Sequence, residues 1–332
     1  MDRFARAVLT LLLCFFLQRC APLLAADAAT RHLVILHIND THGRIEGDPM
    51  NGKPYGGYAR LSTLVQAIRQ QEGADHVLLV DAGDVCSRGD ALTTVTLGRA
   101  NIDLMNFLHV GMWVPGNGDY YLGPSTLQQR ISEARFPTLA ANVFYRLDGS
   151  RFAPPTHILT LQGVKLGFMG LCFVRTEHPS AFLLKVYDPI ETARQIVPGL
   201  RKQSDVVIAL THLGLDVDRR LADSVAGIDL IVGGHSHSIL PKGYAQTGPT
   251  GKPVLIAQAG AYLHFLGRID LDLTRSGGHW ELTSTRARLI PLDGKVPEDP
   301  AVKAEIARLK ATTRPTRAPA ATPIESPADK AR

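Results

Sequence analysis

Residues 33–42 read Leu33-Val34-Ile35-Leu36-His37-Ile38-Asn39-Asp40-Thr41-His42. A short, largely apolar run with no helical spacing stops abruptly at an Asn-Asp pair. That is the pattern of a strand buried on both faces and ended by turn-forming residues. Working outward, the pattern recurs at Val77–Val80, Met112–Val114, Thr138–Ala141, Lys165–Met169, Val206–Leu210, Leu230–Val232 and Val254–Ala257. Helix-period segments lie between these runs, at Ala59–Gln70, Thr94–Leu108, Ser125–Ala134, Pro189–Lys202 and Arg219–Val225. Short apolar strands alternating with amphipathic helices predict an α/β fold with largely buried sheets. No repeat of fixed period is present.

The chemistry-bearing residues follow the carboxyl ends of these runs. Asp40 and His42 follow the first run, Asp84 the second, Asn117 the third, His212 the sixth, and His235 and His237 the seventh. Loops beyond the carboxyl ends of strands converge while the sheet holds them rigid, so sites gather there. Scattered surface His and Asp residues would show no such placement. Carboxylate, amide and imidazole ligands without thiolate suit Mn, Fe, Zn or Co and do not select among them. Asp84 is the candidate bridging carboxylate. Asp40, His42 and His237 would complete one ion's shell, and Asn117, His212 and His235 the other. Two ions about 3.5–4 Å apart clamp a phosphoryl group and generate hydroxide for in-line attack.

Each motif alone is weak, but the ordered set is specific. It comprises His37-Ile38-Asn39-Asp40-Thr41-His42-Gly43, Gly56-Gly57-Tyr58-Ala59-Arg60, Asp81-Ala82-Gly83-Asp84 and Leu139-Ala140-Ala141-Asn142-Val143. Thr211-His212-Leu213-Gly214, the run Gly227 to His237 and Gly267-Arg268-Ile269-Asp270-Leu271 continue it. From about residue 32 to 292 the chain resembles the calcineurin-like metallophosphoesterase superfamily, and within it the catalytic domain of the bacterial secreted 5'-nucleotidases. The resemblance implies a four-layer fold, a β-sandwich flanked by helices, with two divalent metal ions and a small phosphoester substrate.

Two departures from the family pattern stand out. Where the family reads Gly-Asn-His-Glu/Asp, this chain reads Gly116-Asn117-Gly118-Asp119. The absent His stabilises the transition state and helps the leaving group in that family, and its Asp partner three positions later is Tyr121 here. Proton transfer by a positioned group is worth about 10²–10⁴-fold, so release of poor leaving groups should be slow. Asp119, Tyr120 and Tyr121 are the candidates to compensate. The 5'-nucleotidases also carry a further domain that holds the nucleoside base. Here a Pro-rich stretch stands in its place, so nucleobase recognition is not expected.

The ends of the chain read differently from its middle. Arg3 and Arg6, the apolar stretch Ala7 to Leu17 and the small residues Ala25, Ala26 and Ala28 predict a secretory signal over residues 1–28. The apolar stretch is too short to span a bilayer comfortably, where roughly 20 residues are needed. A periplasmic or secreted protein without stable membrane insertion is therefore expected. The catalytic domain should run from 29 to 292, followed by a helix at Ala301–Ala311 and a disordered Pro/Ala-rich tail. That tail is a candidate tether for a protein partner.

Export leaves Cys86 and Cys172 as either a disulfide or two buried free thiols. The formal net charge of +5 is spread without a basic block, which argues against nucleic-acid binding. The leading expectation is an exported dinuclear-metal phosphoric ester hydrolase. The alternatives are a catalytically impaired, metal-binding periplasmic module and a thiosulfohydrolase-like relative.

Overall fold

The computed structural model describes residues 29–313. The first part alternates β1 (Thr30–Ile38), α1 (Tyr58–Glu72), β2 (Val77–Asp81), α2 (Ala91–Val95), α3 (Arg99–Phe107) and β3 (Met112–Trp113). The short α4 (Asn117–Tyr120) and α5 (Pro124–Glu133) lead to β4 (Val143–Tyr145), β5 (Thr156–Leu161) and β6 (Val164–Cys172). Next come β7 (Leu184–Val186), α6 (Pro189–Arg201), β8 (Val206–His212), α7 (Leu215–Ser224) and β9 (Leu230–Val232). The described chain closes with β10 (Tyr244–Thr247), β11 (Pro253–Ala257), β12 (Phe265–Ser276), β13 (His279–Pro291) and α8 (Pro300–Thr312).

Two mixed sheets form, in the orders β13-β12-β1-β2-β3 and β10-β11-β9-β8-β6-β5. In the first sheet β1, β2 and β3 run parallel, and β12 and β13 add antiparallel on the other side of β1. In the second, β11, β9, β8 and β6 run parallel between antiparallel edge strands. Strand β8 shows how the layers arise. Val206, Ile208 and Leu210 join a large core with β1 and β2, while Val207 and Ala209 join a second core with α6 and α7. Alternate side chains of one strand thus serve two cores. On the far side, Tyr58, Leu61 and Val65 of α1 pack into the first core. The result is the expected helix–sheet–sheet–helix stack.

Several segments differ from the sequence-based expectation. Thr138–Ala141 is not a strand: Leu139 N–H bonds Trp113 O in one sheet, and Ala141 N–H bonds Gly170 O in the other. The run is apolar because it crosses between the sheets through the core. The helix expected over Thr94–Leu108 is two helices, because Gly98 sits between them in the left-handed region at φ 78°. Strands β5, β10 and β13 lack a uniform apolar run, so the pattern that marks the other strands does not mark them.

Helix α8 matches the expected Ala301–Ala311 closely. Val302, Ile306 and Leu309 bury into the first core, and Asp299 caps the helix while accepting from Ser62 Oγ at 2.6 Å. Cys86 and Cys172 are buried free thiols. Burial pushes the Cys172 thiol up to about 12 and Cys86 well above its ordinary value. Among the described residues, no helix is long and apolar enough to cross a membrane. The signal sequence expected over 1–28 and the tail expected to tether a partner, beyond 313, lie outside the described residues.

Candidate metal centre

The carboxyl ends of both sheets face one place. Asp40 and His42 follow β1, Asp84 follows β2, Asn117 follows β3, His212 ends β8, and His235 and His237 follow β9. Five of these residues, Asp40, His42, Asp84, His235 and His237, hold left-handed backbone at φ between 46° and 78°. Non-glycine residues there cost of order 1–3 kcal/mol each and persist where the surroundings over-determine them. The surroundings do so here: Asp40 N–H bonds Gly83 O at 2.8 Å, and His42 N–H bonds Asp84 O at 2.8 Å.

The side chains converge as the loops do. Ligand atoms of Asp40, His42 and His237 lie within 4.8 Å of one another, and so do those of Asp40, Asp84 and His212. Asp40 Oδ2 is fixed by Asn39 Nδ2 at 2.7 Å and the His235 amide at 2.9 Å. Its Oδ1 stays free and lies 3.3 Å from His237 Nε2 and 3.8 Å from His212 Nε2. Asp84 faces both groups, with Oδ1 3.5 Å from His212 Nε2 and Oδ2 3.8 Å from His42 Nδ1. The His212 ring donates from Nδ1 to Ala82 O at 2.6 Å, which turns the lone pair of Nε2 into the site.

Four buried polar atoms here have no hydrogen-bond partner: Asp40 Oδ1, His42 Nδ1, Asn117 Oδ1 and His212 Nε2. Buried polar atoms are almost always partnered, and carboxylate, amide and imidazole atoms left free around one point fit divalent cations. The electrostatics agree. Although burial opposes it, the Asp84 and Asp40 carboxylates push His212 up to about 10. Burial works against Asp84 as well, yet His212 and His42 hold it well below the usual carboxylate range. The negative charge that favours a proton on His212 favours a cation at the same place.

Of the three residues expected to compensate for the absent His, two are turned away. Asp119 is fully buried and accepts four backbone amides: Asp84 at 2.9, Val85 at 2.9, Cys86 at 2.6 and Gly116 at 2.8 Å. Its oxygens are spent on pinning the Asp84 loop to the Asn117 turn. Tyr120 is buried against Phe152, with ring centroids 5.4 Å apart. Tyr121 does reach the site's edge, taking a 3.4 Å hydrogen bond from Asn117 Nδ2 and packing on His178.

A cavity of about 380 Å³ opens over the cluster. Besides His42, Asp84, Asn117, His235, His237 and Gly118, its walls carry Ser87, Arg44, Arg88, Arg175 and Tyr262. Sequence reasoning missed all five. Tyr262 was findable, since it follows the run Val254–Ala257 as the ligand candidates follow theirs. Its amide bonds Asp40 O at 2.8 Å and its ring packs on His42 and His237. The arginines lie in loops without periodicity and carried no such signal.

Residues 33–238 match the family model described as calcineurin-like phosphoesterase. The chain belongs to this family. Among relatives of this calcineurin-like phosphoesterase, human 5'-nucleotidase is 32% identical over 336 residues, covering 92% of this chain and 56% of that protein. The trifunctional nucleotide phosphoesterase YfkN of Bacillus subtilis is 29% identical, covering 84% of this chain and 20% of its own length. The solved 5'-nucleotidase precursor from Thermus thermophilus is 28% identical and superposes with a TM-score of 0.74. That match covers 85% of this chain and 59% of the other. The chain therefore spans about half the length of the 5'-nucleotidases it matches, and less of YfkN.

Proposed function

We propose that the protein is an exported hydrolase of phosphoric esters that works with two divalent metal ions. Its substrate class is a small phosphomonoester, or a diester with a good leaving group. One observation carries the reading: the unpartnered, buried ligand atoms of Asp40, His42 and His212 sit in two side-chain groups that share Asp40, next to a cavity that His42, Asp84, Asn117, His235 and His237 line. In the proposed assignment Asp40, His42 and His237 would hold one ion and Asn117, His212 and His235 the other, with Asp84 facing both groups. When bound, such ions supply Lewis acidity toward the phosphoryl oxygens and lower the pKa of water.

The chain's own residues do the rest. Asn39 and the His235 amide orient Asp40, the Ala82 carbonyl orients His212, and the Gly118 amide donates to Asp84 Oδ1 at 2.6 Å. Arg44, Arg88 and Arg175 place positive charge on the cavity wall, which favours an anionic ester over neutral competitors. Phe173, packed 4.8 Å from the His235 ring, offers an apolar surface beside the site. The bacterial periplasm, or the medium, is the proposed location.

The test is hydrolysis of p-nitrophenyl phosphate and its diester analogues by metal-loaded protein. Turnover that disappears on chelation and returns with Mn, Zn, Fe or Co supports the reading. Two bound equivalents with no turnover on any ester would instead support a metal-binding module.

A further inference from the structure

We propose that Ser87 contacts the substrate and donates a hydrogen bond to the departing ester oxygen, taking over part of the task of the histidine absent at position 118. The proposal rests on the phosphoesterase reading above. Four observations lead to it.

The first is position. A β-carbon built on Gly118 would collide with Ser87 Oγ, so the hydroxyl stands where a longer side chain at 118 would begin. The second is that Ser87 is 7% exposed, lines the cavity, and its hydroxyl has no hydrogen-bond partner. A buried hydroxyl with one donor and two acceptor sites is costly to leave unpaired. The hydroxyl oxygen is itself enclosed, and a rotation about the Ser87 Cα–Cβ bond would bring it to a ligand oxygen in the cavity that the residue lines.

The third observation is rigidity. Asp119 accepts the amides of Asp84, Val85 and Cys86, which lead directly into Ser87. On the other side, Gly89 packs so closely on His42 and Gly43 that no β-carbon fits there. Ser87 is thus clamped between two backbone anchors, as a preorganised donor must be. The fourth is its neighbour. Arg88 holds left-handed backbone at φ 69° and lines the same cavity without an ion pair among the described residues.

A serine hydroxyl is about as weak an acid as an alkyl alcohol, so passing its proton to the leaving alkoxide gains little and only creates a serine alkoxide in its place. The P–O bond therefore breaks with its electron pair on the leaving oxygen, which Ser87 stabilises by hydrogen bonding. Water supplies the proton afterwards. Acidic leaving groups bear their charge readily and need this hydrogen bond less than alkyl alcohols do.

The experiment compares kcat/KM of the metal-loaded wild type and Ser87→Ala on aryl and alkyl phosphates spanning a range of leaving-group pKa. Removing one donor of this kind typically costs about 10²–10³-fold. The loss is expected to be roughly 100-fold on alkyl phosphates and smaller on nitrophenyl phosphate, so that rate falls more steeply with leaving-group pKa. Ser87→Cys, which fills the site with a somewhat larger group and a weaker donor, should steepen the dependence in the same direction if alanine disturbs the loop. Equal loss on every ester, or no loss, would overturn the role of Ser87. A wild type inactive on all esters would overturn the proposed function instead.

Discussion

The Ser87 hydroxyl occupies the space that a β-carbon at Gly118 needs. The gap in the sequence motif is therefore a filled position in the structure. Restoring histidine at 118 must first displace this hydroxyl.

That relationship sets the first prediction. Gly118→His alone should gain little, because its β-carbon meets Ser87 Oγ. The double variant Ser87→Ala with Gly118→His removes the overlap. Relative to Ser87→Ala it should raise kcat/KM on alkyl phosphates by about tenfold or more, and less on nitrophenyl phosphate. Equal change on both esters would mean that the new ring does not reach the leaving oxygen.

A second prediction concerns Asp119. Four amides converge on its carboxylate, so Asp119→Asn turns an NH₂ group toward donors that need an acceptor. Leaving a buried donor unpaired costs about 1–3 kcal/mol each. Chemical denaturation should report a loss of roughly 2–4 kcal/mol, together with weaker metal retention because the Asp84 loop loosens. Unchanged stability would show that the loop is held by other means.

The sheet framework, and the strand-end position of each proposed ligand, were legible because both signals are local. A doubly buried strand writes a continuous apolar run, and its polar end marks the loop beyond it. Thr138–Ala141 misled because a segment crossing the core between sheets writes the same run without pairing. β13 stayed hidden because its half-exposed face interleaves Thr, Ser and Arg with apolar residues. Ser87 and the arginines depend on how three loops meet in space, which no spacing along the chain records.

The third prediction is a pH dependence. His37 lies in β1, fully buried against Gly267, whose missing β-carbon makes room for the ring. Burial lowers its pKa from 6.5 to about 4. The folded protein keeps His37 neutral while the unfolded chain takes up a proton below pH 6.5. This contribution is present above pH 6.5 and is lost as pH falls toward 4. The difference is about 3 kcal/mol. His37→Phe keeps a ring over Gly267 without titrating, so urea unfolding should show a shallower acid loss than wild type between pH 7 and 4. Identical profiles would contradict the assignment.

A fourth prediction follows from the buried thiols. Cys86 and Cys172 lie in the core with their thiols pushed up by burial. In folded protein cleaved of residues 1–28, a thiol reagent should label neither at neutral pH, while denatured protein should show both. A single intact disulfide in the native protein would contradict the structure.

The central claim is that Asp40, His42, Asp84, Asn117, His212, His235 and His237 hold two ions that together support ester hydrolysis. Metal-free protein titrated with Mn or Zn, with bound metal and nitrophenyl phosphate turnover read on the same samples, tests it most directly. The account predicts saturation at two equivalents per chain, with turnover appearing as the second is bound. Saturation at one equivalent, or two bound equivalents without turnover, would contradict it.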